Sequence, residues 1–340
     1  MEKRAGTRNF IVGRVILYNR EAESMSLYPY HVTRMSRVRG GLWCRCEEGD
    51  FFLKEYAGGK TRLAFLRRVL EELEKQEMRV DTLVRTIEGE EYSQDTYGKN
   101  YTLRKWFLDP ECDPKNPGQV MAGAEALGRL TKALLGLSET MEIGDKQPSD
   151  FLFQVQRKNR EMKSISNLIA KKRQKNEFDM EFSRLFLTYY EQGQKVQALE
   201  EEWNTSDGVR RGLCHRDFTH HNVLVGENGV SLIRFDNLGW DSILSDVALY
   251  IRKIMEKNSY SQVLCRELLG MLQEVLPLND AEKKQLYLRL AFPSRFLKVA
   301  NHYAATRKNH ITLRDLEKLK SLKKQEEERL SFLAFLEGFA

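Results

Sequence analysis

The sequence contains no apolar run long enough to cross a bilayer as a helix and no internal repeat, so neither a membrane-spanning helix nor a solenoid is expected. Proline is sparse, with seven in 340 residues, and a hydrophobic content of 41% belongs to a globular chain rather than a disordered one. Cysteine is scarce and odd in number: of the five, at positions 44, 46, 112, 214 and 265, only the first two are close together. A disulfide framework is therefore not expected, and free thiols in a reducing interior are. Charge of one sign is also lacking. Lysine and arginine number 55 against 49 aspartates and glutamates, and the resulting +6 suits weak attraction to anions. Without a matching fold signature, no nucleic acid partner is expected. The opening "MEKRAGTRNFIVGRVILYNR" is broken by charges before a signal-peptide core can form, which predicts a soluble protein made in the cytoplasm.

What is present begins with "LWCRCEEGDFFLKEY", which reads as a strand from Leu42 to Cys46, a turn, and a second strand from Phe51 to Tyr56. Alternation puts Lys54 on one face with Phe52 and Tyr56. After Gly58 and Gly59, "TRLAFLRRVLEELEKQ" carries Leu63, Leu66, Leu70 and Leu73 at the spacing of one helix face. "YTLRKWF" reads as a further strand, and the proline-rich "PECDPKNPG" that follows marks a connection between domains. From Val120 onward the pattern is mainly helical. The basic segment 157–175 places Ile165, Leu168 and Ile169 at helical spacing, and its charges form either a solvated face or a docking surface for an anionic partner.

His215, Asp217 and Asn222 form H-x-D-x-x-x-x-N. In phosphoryl transfer such an aspartate accepts the proton of the attacking hydroxyl, and the asparagine turns its amide oxygen toward a magnesium ion on the nucleotide phosphates. His215 suits a hydrogen-bonded core residue that holds this loop better than an acid or base. The nearby His220, His221 and Cys214 fit no zinc spacing. A hairpin follows, with "NVLV" and "VSLIRF" flanking "GENG"; a type I′ turn at Asn228-Gly229 would set Asn222 opposite Phe235. Continued alternation would put Leu232, Arg234 and Asp236 on one face, Arg234 and Asp236 roughly 6 to 7 Å apart.

On "FFLKEY", "TRLAFLRRVLEEL", "YTLRKWF", "HRDFTHHNVLV", "IRFDN", "SDVALYIRKIMEKN" and "FPSRFLKVANHY", the chain resembles the kinase-fold family of aminoglycoside phosphotransferases and choline kinases, and in particular the CotS-type spore coat proteins. The resemblance implies an α+β, two-lobed protein-kinase-like fold: a strand-rich N-lobe over 1–108 with one helix, and a helical C-lobe over 109–340 with the catalytic-loop hairpin. It implies ATP and magnesium as cofactors, Lys54 at the phosphates, a helix glutamate such as Glu72 to orient it, and backbone contacts to adenine from Trp106, Phe107 and Leu108. Asp217 would be the base, Asn222 a magnesium ligand, and Asp246 the brace of the loop. Spore coat proteins would be the partners, and the coat the final location.

One departure bears on activity. Active relatives read I-D-F-[DE] where this chain reads Ile233-Arg234-Phe235-Asp236, which places Arg234 on the principal metal ligand. Like charges about 4 Å apart repel by roughly 4 kcal/mol at an effective dielectric near 20, and by more for a divalent ion. Asp236 then either takes over the metal or stabilises the fold, and Arg234 could itself pair with a phosphate. Arg216 stands where the small-molecule branch has glycine, and no G-x-G-x-x-G loop is present. Two functions follow: a degenerate phosphotransferase (a pseudokinase) with a role in coat assembly during sporulation, or an active ATP- and magnesium-dependent phosphotransferase on a small hydroxyl-bearing substrate.

Overall fold

A computed structural model describes residues 19–38, 40–140, 150–305 and 313–339. Most of the opening segment discussed above lies outside the described residues. In chain order the elements are α1 (Asn19–Met25), β1 (Val32–Val38), β2 (Gly41–Cys46), β3 (Gly49–Tyr56), α2 (Lys60–Lys75), β4 (Arg79–Val80), β5 (Leu83–Val84), β6 (Ser93–Gln94) and β7 (Asn100–Lys105). There follow α3 (Pro117–Thr140), α4 (Phe151–Ala170), α5 (Glu177–Trp203), β8 (Arg211–Cys214), β9 (Val223–Gly226), β10 (Gly229–Leu232) and β11 (Gly239–Ser242). Six helices are described after β11: α6 (Leu244–Met255), α7 (Gln262–Val275), α8 (Asp280–Ala291), α9 (Ser294–Ala305), α10 (Leu313–Lys324) and α11 (Glu326–Glu337).

The described residues up to Pro110, together with Leu224–Asp236, make one compact unit, and Glu111–Val223 with Asn237 onward make the other. A linear cut at 108/109 leaves the β9–β10 hairpin with the helices. The structure groups most of it with the strands instead, because β10 pairs in parallel with β4, Ser231 opposite Arg79 and Leu232 opposite Val80.

In the strand unit, β1, β2, β3, β7 and β5 are neighbours in that order, with β6 also on β7. Period-2 alternation sorts the faces. Cys44, Phe51, Leu53, Tyr101 and Leu103 turn to one side and form a core with Met25 and Tyr28. Lys54 stands opposite Thr102, and Phe52 opposite Arg104, on the other. The leucines of α2 fall as their spacing predicts: Leu63, Leu66, Leu70 and Leu73 are buried, and Val69 with them. All five cysteines are buried free thiols.

In the helical unit, the short sheet pairs β8 with β11, Gly212 opposite Asp241. Asn176 caps α5 and Asn279 caps α8 through capping boxes with Asp179 and Glu282. On α4, Ile165 and Ile169 are buried as expected, but Leu168 is 59% exposed and belongs to the solvent side. No described helix is long and apolar enough to cross a membrane.

Two local expectations are corrected. The β9–β10 connection is not a type I′ turn, which needs positive φ at both central residues; only Gly229 has it, at 93°, and the strands break at Glu227-Asn228. The second strand also stops early, at Leu232, so Leu232, Arg234 and Asp236 do not continue a single face. The Asp81 carboxylate accepts the Arg234 N–H at 2.9 Å, and Arg234 adopts a left-handed φ of 67° that turns the chain into a 3-10 segment at Phe235–Asn237. Strand alternation cannot survive that reversal.

Leu70 has no exposed surface. Leu70→Ala should therefore lower the unfolding free energy by about 2 to 5 kcal/mol, read from the midpoint of a denaturant titration at unchanged slope.

Candidate functional site

The helical unit carries the H-x-D loop, and its geometry follows from three anchors. His215 is fully buried, and its Nδ1 accepts the N–H of Asp217 at 3.2 Å, so the imidazole acts as a post for the loop. Phe218 stacks edge-on against the same ring at 5.9 Å. Asp246, buried at the start of α6, accepts the N–H of Phe218 at 3.4 Å. Burial pushes its carboxyl up to about 7, against the pull of backbone N–H groups of Phe218, His215 and Arg216. This is the bracing position that the sequence resemblance implied for it.

Arg216 has a φ of 63°. An L-residue in that region costs about 1 to 2 kcal/mol, which is a physical reason for glycine at this position. Its guanidinium lies 3.8 Å from Asp241. Asn222 is then pinned: its Nδ2 donates to the Asp217 carbonyl at 2.7 Å and to Asp217 Oδ2 at 3.1 Å. The opposite atom, Asn222 Oδ1, is buried and has no hydrogen-bond partner among the described residues. An oriented amide oxygen left bare in this way has the chemistry of a hard-cation ligand.

The strand unit gathers a different set. Lys54 Nζ donates to Asp236 Oδ2 at 3.1 Å, and Arg104 Nη2 to Asp236 Oδ1 at 2.7 Å. Arg104, only 2% exposed, also reaches Asp81 Oδ2 at 3.4 Å. Arg62 Nη2 donates to the Asp236 carbonyl at 3.3 Å. Burial pushes the Asp81 carboxyl up to about 6, with Arg104 pulling the other way.

Lys54 thus has Asp236 as its acidic partner, and the pairing with Glu72 is not formed. Glu72 binds Lys75 at 2.7 Å, one turn along the exposed flank of α2, because the leucines of that helix claim the inward face. Trp106 stacks on Phe52 at 5.0 Å between centroids, and its backbone N–H donates to the Asp50 carbonyl at 2.9 Å. Phe107 lies under the Arg79 guanidinium at 5.2 Å, and Leu108 is 61% exposed.

Asp81, Arg62 and Arg104 escaped sequence reasoning. Arg104 left a signal, a charge inside the apolar "YTLRKWF" on the face of Lys54, but its partners lie far away in the chain.

These residues do not fit a divalent cation in the strand unit. Both oxygens of Asp236 are engaged by cations, and Arg234 supplies a further positive charge where a carboxylate was expected. A metal ion there would meet two cations already held by charge-assisted hydrogen bonds and would have to bind against their repulsion.

A family profile described as phosphotransferase enzyme family (APH) matches residues 43–278. The chain belongs to this family. Among solved structures, an aminoglycoside phosphotransferase from Alicyclobacillus acidocaldarius is similar at a TM-score of 0.80 and 18% identity, covering 96% of this chain and 97% of that one. An amicoumacin kinase in complex with AMP-PNP and Ca2+ matches at 0.61 and 13%, covering 91% and 92%. A choline kinase from Streptococcus pneumoniae matches at 0.51 and 11%, covering 92% and 97%. At these identities the likeness establishes the kinase-like α+β fold. A comparison with curated protein sequences returns no match.

Two outcomes are expected. Arg104→Met leaves Asp81 and Asp236 without their shared cation and should cost about 3 to 5 kcal/mol, with Asp81→Asn in the same chain recovering part of the loss, as a double-mutant cycle in urea would measure. Asp246 binds its proton more tightly folded than unfolded, so its contribution is complete below about pH 4 and is lost as pH rises through about 7. Asp246→Asn should flatten the stability profile across that window, seen as a shrinking difference from wild type between pH 4 and pH 7.

Proposed function

We propose that this member of the phosphotransferase family is a degenerate, CotS-type protein that serves as a structural or assembly component of the spore coat. It would be made in the cytoplasm and carried into the coat by protein partners. The observation that supports the loss of activity is the state of Asp236: its carboxylate is held by Lys54 and Arg104, with Arg234 replacing the aspartate of active relatives. The lysine that would draw phosphate is spent on an internal carboxylate, and the carboxylate that would draw metal is spent on two cations. The coat assignment rests on the resemblance of "SDVALYIRKIMEKN" and "FPSRFLKVANHY" to that group.

A second reading is favoured by the catalytic loop. Asp217 and Asn222 keep the geometry of a general base and an oriented amide oxygen. On that reading the protein is an ATP- and magnesium-dependent phosphotransferase acting on a small hydroxyl compound, in keeping with the nucleotide analogue named for the amicoumacin kinase.

Titration of ATP with and without magnesium, followed by melting temperature, separates the two. Degeneracy predicts no magnesium-dependent rise in the wild type and the appearance of one in Arg234→Asp. ATP turnover that Asp217→Asn abolishes, by a factor of a hundred or more, would establish the enzyme instead.

A further inference from the structure

Within the helical unit, two partly buried cations stand near each other, and neither forms an ion pair with a carboxylate among the described residues, although Asp241 lies in the neighbourhood of both and Glu200 in that of Arg289. Lys158, from the basic segment of α4, is partly buried and places its ammonium over the Phe292 ring at 5.2 Å. Its nitrogen makes no hydrogen bond or ion pair among the described residues. Arg289, near the end of α8, returns the same contact in the other direction: its guanidinium lies over Phe151, on α4, at 4.7 Å. Phe151 on α4 and Phe292, the residue that ends α8, thus each hold the cation of the other segment, and the two charges are neighbours.

Arg289 donates Nε to Gln285 at 3.0 Å, and no carboxylate among the described residues lies within ion-pair distance of it. Around Lys158 stand Arg289, Arg157 and Arg252, with Asp241 the carboxylate that opposes them. Arg252 is already matched by Glu256 at 3.0 Å, and Asp241 is turned to Arg216 and to the N–H of Ser242. Burial, then the neighbouring arginines, lower the Lys158 ammonium to about 8. Holding two desolvated positive charges together is costly unless an anion shares the space.

We infer that Lys158 and Arg289 form a binding site for a small anion, a phosphate- or carboxylate-bearing molecule, on the helical unit. The planar fork of Arg289 suits two oxygens of such a group, and the ammonium of Lys158 acts as a point charge beside it. The rings of Phe151 and Phe292 hold both cations in place. Arg289 is also a neighbour of Cys214, the residue before His215, so the site adjoins the root of the catalytic loop. A cationic compound such as choline would be repelled here. The inference is independent of whether ATP is turned over.

The test uses the full-length protein at constant ionic strength, with melting temperature followed against inorganic phosphate, against succinate, and against choline. At least one of the two anions should raise the wild-type value by several degrees at millimolar concentration, and whichever acts identifies the group recognised. Choline should have no effect. Lys158→Met should weaken the response at least tenfold, and Arg289→Gln likewise. The variants also separate this site from the cations of the strand unit, Lys54, Arg62 and Arg104, which they leave intact. Lys158→Met removes an uncompensated charge and should fold at least as stably as wild type, so it carries the test even where Arg289→Gln does not fold. In reductively methylated protein, the Lys158 NMR signal should titrate near 8 and move to higher pH when the anion is bound. A wild type indifferent to both anions, an undiminished response in Lys158→Met, or stabilisation by choline would overturn the inference.

Discussion

Arg104 is buried to within 2% of complete enclosure, and a guanidinium in that position has to be neutralised where it stands. It is shared between Asp81 and Asp236, two residues far apart in the chain, and the local architecture of the strand unit follows from that sharing. Asp81 also takes the N–H of Arg234. One carboxylate therefore serves the buried cation and ends the β10 strand. Asp236, held from the other side by Lys54, becomes a structural counterion. A metal ligand needs a carboxylate whose negative charge is not already balanced, and this one faces two cations.

The helical unit obeys a separate logic. There the H-x-D loop is shaped by His215 from below and by Asp246 from behind, and Asn222 is oriented by Asp217 itself. None of these bonds depends on the identity of residue 234. A loop of catalytic form can thus persist in a chain whose metal-ligand position has changed, because its anchors are hydrogen bonds within the helical unit. The left-handed φ values at Arg216 and Arg234 make the same point: both are positions where a bend is required, and the surrounding contacts impose it on residues that do not favour it.

Much of this is legible in the sequence alone. The α2 leucines, the β2–β3 and β7 strands, and the facing of Lys54 and Phe52 all follow from period and alternation, which are local properties. The reading failed where a distant side chain intervened. Spacing alone pairs Glu72 with Lys54, yet leucines fill the inward face of α2 and Glu72 binds Lys75 instead. Alternation carries the strand to Asp236, four residues past its end at Leu232, since the competing acceptor, Asp81, sits more than a hundred residues earlier. Arg104 was visible as a misplaced charge, but nothing nearby in the sequence explained it.

By itself the sequence determined the order and type of the elements, the H-x-D-x-x-x-x-N spacing, and the arginine at position 234, because these are matters of residue identity and short-range periodicity. Tertiary structure alone decided which charge meets which. Ion pairs such as Arg104 with Asp81 and Asp236, and the mutual cation–aromatic contacts of α4 and α8, join residues from separate elements. Their energies depend on burial and on distances of a few ångströms, and neither quantity exists until the chain has folded.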